Sequence, residues 1–293
     1  PRHGRGHRIN PTNIPVRANI FALKVLGVEH VISVSAVGSL KDDVCPLDLV
    51  VPDQLIDRTR QRHSTFFDEN LVVHLSFADP FCPNLSNILV DAGRKEGAKV
   101  HHGGTYVVME GPAFSTRAES FMYRSWGASI IGMTALPEAK LAREAEMCYA
   151  TVACATDYDC WHETEEQVTV DMVIANLLKN VSTSKSILRR VIPSLEERRT
   201  CMCGSALENS IVTAKEIIPE KIIIRGNKLD SIINKYDFES KNIEVIRFNN
   251  QSNPKTIIEI MGGFDKYLIF GIGNIVGWGD LFVQKIKEFR IND

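Results

Sequence analysis

The sequence predicts an α/β fold. Short β-branched runs alternate with amphipathic helical segments, the helical segments carry recognisable start signals, and several of the apolar runs end in residues suited to ligand chemistry. In folds of this class ligands gather at the carboxyl ends of strands, so those endings matter most.

The elements follow in order. "HVISVSAVGSL" (30–40) is a β-branched strand entering a small-residue turn, with Ser35 and Ala36 expected at its end. "LDLVVPDQ" (47–54) is a short strand stopped by Pro52. "NLSNILVDAGRKEGA" (84–98) spaces Leu85, Ile88, Leu89 and Ala92 as a helix, with Asn84 as its expected N-cap. "GGTYVVMEGP" (103–112) is a strand ending at Glu110 and broken by Gly111-Pro112. "STRAESFMYRSWGA" (115–128) is a helix with Thr116 and Glu119 in capping-box spacing. "ASIIGM" (128–133) is a buried strand that delivers Met133 and Thr134, and "TALPEAKLAREAEM" (134–147) opens a helix with Pro137 in its first turn. "MCYATVACATDYDCW" (147–161) is a continuous apolar strand closing on two acids, and residues 168–192 form a long amphipathic helix.

Composition restricts the function classes. With 293 residues, 44% hydrophobic and 24% charged, the chain can build one large domain or two smaller ones. A net charge of -2 gives no bulk attraction toward nucleic acid or an anionic membrane. No apolar stretch approaches the roughly 18 residues of a membrane span, and no signal peptide is recognisable, so a cytoplasmic location is expected. The seven cysteines are odd in number and lie mostly in apolar runs, as in a reduced protein. Residues 223–293 contain no Ala, Cys or His but hold 14 Ile in 71 residues, against 15 Ile in the preceding 222. That break predicts a boundary near residue 222, with a small Ile-rich α/β tail behind it. In the tail, "KIIIRGNKLDSIINKYD" reads as strand and helix, "NIEVIRF" as a strand, and "GIGNIVGWG" as a glycine loop between strand and helix. The loop suits either phosphate binding or a tight packed turn.

Five groups of residues carry possible chemistry. "RHGRGHR" (2–8) gathers Arg2, His3, Arg5, His7 and Arg8 around two glycines, which suits an oxyanion or a solvated basic tail. Ser35 and Thr134 follow apolar runs and can donate hydroxyls to one anion, or be satisfied locally. Phe114 can stack on a planar base or fill the core, and Ser115 can line a site or cap a helix. Cys201-x-Cys203 is too closely spaced and too isolated for zinc, His101 and His102 read as surface, and no metal site is expected. Asp157 and Asp159 are the sharpest signal. They stand one residue apart at the end of a buried strand, where period 2 turns both side chains to one face. Burial and a neighbouring like charge both raise a carboxylate pKa, so such an acid can hold a proton at neutral pH and pass it to a leaving group. A purine edge, with N7 beside an exocyclic amine, fits two carboxyls of which one is protonated.

"GPAFSTRAE", "GASIIGMTALPEAKLAREAEMCYA" and "ATDYDCW" closely resemble the purine nucleoside phosphorylase family, in particular its 5'-methylthioadenosine phosphorylases. "RHGRGHRINP", "ANIFALK", "SAVGSL", "DPFCP" and "CMCGSALENSIVT" extend the resemblance over residues 1–222. It implies a mixed central sheet flanked by helices, N-terminally truncated here because the family's first strand and glycine-rich phosphate loop do not precede Pro1. It also implies phosphorolysis of methylthioadenosine to adenine and 5-methylthioribose 1-phosphate, with inorganic phosphate as co-substrate and no other cofactor. The resemblance places Arg2, His3, Ser35, Thr134 and the Ala36 backbone on phosphate, and Met133 under the ribose. It sets Phe114 and Ser115 beside the base, Asp157 at N7 and Asp159 at N6. His74 matches a residue that reaches a neighbouring subunit's site, which implies a homotrimer. Two other readings stay open: a phosphorylase for another purine nucleoside, and a catalytically impaired purine-binding protein.

Overall fold

The computed structural model describes residues 2–67, 71–162, 170–195, 199–214, 221–225, 244–248 and 268–270. They fall into two compact units. The first comprises residues 1–16, 29–64 and 76–206; the second comprises 17–28, 65–75 and 207–293.

The first unit is built on a seven-stranded mixed sheet in the order β3-β5-β6-β1-β7-β2-β4. Its strands are β1 (His30–Ser39), β2 (Leu49–Val51), β3 (Gln54–Arg58), β4 (Val100–His102), β5 (Thr105–Met109), β6 (Ile130–Gly132) and β7 (Cys148–Asp157). Helices α2 (Pro83–Lys95), α3 (Arg117–Ser125), α4 (Ala135–Glu144) and α5 (Val170–Val191) flank it, while α1 (Val16–Val25) lies mostly in the second unit.

Strand β7 is buried along its whole length, which explains why its sequence reads as one apolar run rather than an alternation. Cys148, Ala150, Val152 and Cys154 point to one face, into a core with Leu85 and Leu89 of α2 and Ile187 and Val191 of α5. Tyr149 points to the opposite face, where its hydroxyl donates to Glu138 of α4 over 2.9 Å. β1 runs parallel to β7 from His30 to Gly38, and the register shifts between Val37 and Gly38 so that Gly38 stands opposite Asp157. On its other side β1 pairs with β6 only at Gly38 and Ser39.

Several sequence expectations need correction. β1 extends to Ser39, so Ser35 and Ala36 lie inside the strand rather than at its end. Cys82, not Asn84, stands at the N-cap of α2, because Pro83 takes the first helical position; the Asn84 amide instead donates to Thr200. His101 is half-buried and bonds Asp48 over 2.8 Å, whereas His102 is exposed as expected. Cys201 and Cys203 are not isolated, since Cys82 and Cys148 lie beside them. The capping box is as expected, with Thr116 accepting from the Glu119 amide and Glu119 bonding back.

In the second unit, Val73 and Ile211 form an antiparallel bridge, and the His74 amide donates to the Ser210 carbonyl over 2.8 Å. A parallel three-stranded sheet, β10-β8-β9, is formed by β8 (Lys221–Arg225), β9 (Glu244–Phe248) and β10 (Leu268–Phe270). These are the three strands read from the tail sequence. Its helices and the "GIGNIVGWG" loop lie outside the described residues. The expected boundary near residue 222 falls within β8.

Candidate active site

Asp157 ends β7, and the chain then turns sharply. Asp159 adopts φ 53°, opening a 3-10 turn over Asp159–Trp161. That left-handed residue departs from strand geometry, yet the two acids stay together, because the Asp159 amide donates to Asp157 Oδ1 over 2.8 Å. The Thr156 hydroxyl donates to Asp157 Oδ2 over 2.7 Å. Gly38 makes room for the pair: a Cβ there would stand 3.0 Å from Asp157 Oδ1 and 3.3 Å from Asp159 Cβ. Both acids are buried, and Asp159 Oδ2 has no hydrogen-bond partner among the described residues. Burial pushes Asp159 up to about 6; the nearby Ser120 hydroxyl opposes this and the charge of Asp157 adds to it. Burial therefore favours the protonated form of Asp159 before any ligand binds.

Ser115 approaches the acids through Cys160, whose thiol donates to the Ser115 carbonyl over 3.3 Å. Its own hydroxyl meets Met109 Sδ at 3.5 Å, so it is not the cap of α3. Phe114, one residue earlier, is half exposed, which removes it from the core and leaves its ring free to stack.

A second set of polar groups converges around β1, β5 and the start of α4. The hydroxyls of Ser35, Tyr106 and Thr134 are buried, and none has a hydrogen-bond partner among the described residues. Burial raises the Tyr106 pKa, while the neighbouring Ser35 and Thr134 hydroxyls oppose that rise, so the phenol stays a neutral donor. Thr134 is the N-cap of α4 but makes no capping bond, which leaves its hydroxyl available. Three orphaned hydroxyls in one place are costly without a ligand, and an oxyanion satisfies all three at once.

Arg2 lies close by with most of its donors occupied. It pairs with Glu138 through two nitrogens, donates to the Val34 carbonyl over 3.1 Å, and donates to Ser33 Oγ over 2.6 Å. These bonds take four of the five guanidinium donors. His3 bonds the Ile9 carbonyl through Nδ1 over 2.8 Å and stacks on His7. A carbonyl only accepts, so Nδ1 carries the proton and Nε2 of the neutral ring is an acceptor. Burial lowers the His3 pKa, with the nearby His7 and Arg2 charges acting the same way against the Ile9 bond.

Met133 immediately precedes Thr134. Its sulfur packs on Gly111 so tightly that a Cβ there would lie 2.5 Å away, and Gly111 has φ 71°. Arg62 fixes the surrounding backbone. Its Nη1 donates to the Met133 carbonyl over 2.5 Å and the Leu136 carbonyl over 2.7 Å, while Nη2 donates to the Met109 and Glu110 carbonyls. Nε pairs with Glu110 at 3.3 Å, and the side chain is only 4% exposed. Bonding from Thr12 and the Arg60 and Gln61 amides holds Glu110 below its ordinary pKa in spite of burial.

Ten of the eleven sequence-selected residues thus lie in the first unit: Arg2, His3, Ser35, Ala36, Phe114, Ser115, Met133, Thr134, Asp157 and Asp159. His74 belongs to the second unit. Sequence reasoning missed Tyr106 and Arg62. Tyr106 reads as one more apolar strand residue, and Arg62, in "RTRQRHS", reads as part of an exposed basic loop. In the fold Tyr106 lies against Gly132, where a Cβ would stand 2.5 Å from its hydroxyl.

Paired acids at the end of a central strand and three buried, unsatisfied hydroxyls thus lie in one mixed α/β unit. The chain belongs to the phosphorylase superfamily, which matches residues 1–193. The S-methyl-5'-thioadenosine phosphorylase of Koribacter versatilis is 54% identical over 240 residues, covering 82% of this chain and 81% of that protein. The Geobacter sulfurreducens protein of the same name is 54% identical over 237 residues, covering 80% of this chain and 82% of its own. Among solved structures, a methylthioadenosine phosphorylase sourced from an antarctic soil metagenomic library has a TM-score of 0.70 at 49% identity, covering 74% of this chain and 77% of that chain. An S12T mutant of adenosine/methylthioadenosine phosphorylase from Schistosoma mansoni, solved with methylthioadenosine, has a TM-score of 0.63 at 38% identity, covering 67% and 76%.

Proposed function

We propose that this chain catalyses phosphorolysis of 5'-methylthioadenosine, giving adenine and 5-methylthioribose 1-phosphate. The observation that carries the reading is the union, in one unit, of the Asp157–Asp159 pair with the orphaned hydroxyls of Ser35, Tyr106 and Thr134. The names borne by relatives at 54% identity support the choice of nucleoside.

The roles follow from the chemistry each group offers. Asp157 delivers a proton to N7 as the glycosidic bond breaks, so that adenine leaves as a neutral base. Asp159 accepts from the 6-amino group through Oδ2, the oxygen that lacks a partner. Ser115 and Phe114 border the base, and Met133 lies under the ribose, held by Gly111 and Arg62. Phosphate, the co-substrate, takes donors from Ser35, Thr134, Tyr106 and the Ala36 amide. His3 Nε2 accepts from a protonated phosphate oxygen, and Arg2 offers its remaining N–H. Anchored there, phosphate stabilises the cationic sugar and then attacks C1'. No further cofactor enters the scheme. His74 serves the site of a neighbouring subunit in a homotrimer, and the chain works in the cytoplasm. Adenosine is a second substrate of this reading, in line with the Schistosoma mansoni neighbour's name.

The test is product analysis with methylthioadenosine in the presence and absence of phosphate. Adenine released only with phosphate is the expected result. Release without phosphate indicates a hydrolase, and binding without turnover indicates a purine-binding protein; either overturns the proposal.

A further inference from the structure

Away from the nucleoside site, the fold gathers four cysteines that the sequence keeps far apart. Cys82 stands at the N-cap of α2, Cys148 is the first residue of β7, and Cys201 and Cys203 flank the entry to the 3-10 turn Met202–Ser205 that follows α5. Their sulfur atoms all lie within 4.8 Å of one another, and those of Cys148 and Cys201 are 3.3 Å apart. A tetrahedral zinc ion with Zn–S bonds of about 2.3 Å needs sulfurs roughly 3.8 Å apart, so the cluster already has the span of a four-thiolate cage.

We propose that Cys82, Cys148, Cys201 and Cys203 form a structural four-thiolate site for Zn2+. Four thiols within reach of each other match a closed metal cage more closely than two separate pairs. Soft thiolate ligands select Zn2+ over the hard cations that phosphate chemistry attracts. Binding replaces four S–H bonds by four Zn–S bonds and releases four protons, leaving a site of charge 2-. One feature favours that charge: Cys82 stands at the N-cap of α2, at the amide end of the helix. Cys82, Cys148 and Cys203 are buried among Leu85, Leu89, Ile187 and Val191, while Cys201 is partly exposed and gives the metal its way in. The ion would tie the start of α2, the start of β7 and the segment after α5 into one knot, a structural role with no open coordination position for catalysis.

The experiment uses the full chain, purified under reducing conditions, incubated with Zn2+ and desalted, with metal counted by mass spectrometry. The expected result is one zinc per chain. Titration with Co2+ should then give thiolate-to-cobalt charge-transfer and tetrahedral d–d absorption saturating at the same ratio. The double variant Cys201→Ser, Cys203→Ser should lose at least tenfold in Co2+ affinity. Wild-type protein that holds no zinc under reducing conditions overturns the proposal, as does a mass showing the four cysteines joined in disulfides with no metal. So does undiminished Co2+ binding by the double variant.

Discussion

The backbone amide of Asp159 donates to the carboxylate of Asp157 over 2.8 Å, and this one bond makes two like charges at the end of a core strand into a unit. The bond exists because Asp159 leaves strand geometry at φ 53° and brings its N–H back toward the preceding acid. It also divides the labour. Asp157 is held by two donors, Asp159 N–H and the Thr156 hydroxyl, while Asp159 keeps an unpartnered oxygen for a ligand.

Asp157→Asn keeps the acceptor that Asp159 N–H needs but removes the transferable proton. It should lower kcat by at least about 10²-fold, the usual scale for a general acid, with a smaller effect on adenine affinity. Steady-state rates and adenine binding on the same preparation check this; an unchanged kcat removes Asp157 from the role.

Asp159 is raised from its usual 3.8 to about 6, chiefly by burial. The native chain therefore binds this proton more tightly than the unfolded chain does. Stability contributed by the acid form is present at low pH and is lost as pH rises from about 4 through about 6. Asp159→Asn removes the penalty, so the unliganded variant should be more stable than wild type by on the order of 2–3 kcal/mol at pH 8 and equal to it below pH 4. Urea midpoints across pH measure this. The same variant should discriminate less well between 6-amino and 6-oxo purine nucleosides, since an amide can donate as well as accept.

Tyr106→Phe should leave stability unchanged or slightly higher, because the hydroxyl it deletes has no protein partner among the described residues. It should raise KM for phosphate about tenfold, the worth of one hydrogen bond to a charged group. Gly132→Ala drives a methyl to within 2.5 Å of that hydroxyl and should lower the melting temperature. Combining the two substitutions should restore much of the loss, which a double-mutant thermal series would show.

Arg62→Ala strips partners from the carbonyls of Met109, Glu110, Met133 and Leu136 and leaves Glu110 without its cation. A cost of about 3 kcal/mol or more is expected, together with a higher KM for the nucleoside. Arg62→Lys keeps the charge but not the fork and should recover only part of either. Denaturation and kinetics on both variants separate the structural from the positioning effect.

The homotrimer reading makes activity depend on assembly. Specific activity should fall on dilution in step with the loss of trimer by sedimentation, and His74→Ala should lower activity without changing the sedimentation of concentrated protein. Fully active monomers would remove the role given to His74.

By itself, the sequence determined the α/β class, the strands that carry the site, the capping box at Thr116 and Glu119, and the paired acids. Each of these is a local matter: periodicity, a cap spacing of three residues, or the anomaly of carboxylates ending an apolar run. Tertiary structure alone decided three things. It set the bulge opposite Gly38 that holds both acids in one place, it ordered Arg62 as a buried clamp, and it brought Cys82 and Cys148 to Cys201 and Cys203. These depend on which strands become neighbours across many tens of residues, and a run such as "RTRQRHS" has the same local pattern whether its arginine meets water or four backbone carbonyls. Spacing along the chain therefore ruled out a metal site at Cys201-x-Cys203, whereas proximity in space supplied the two further sulfurs a tetrahedral ion requires.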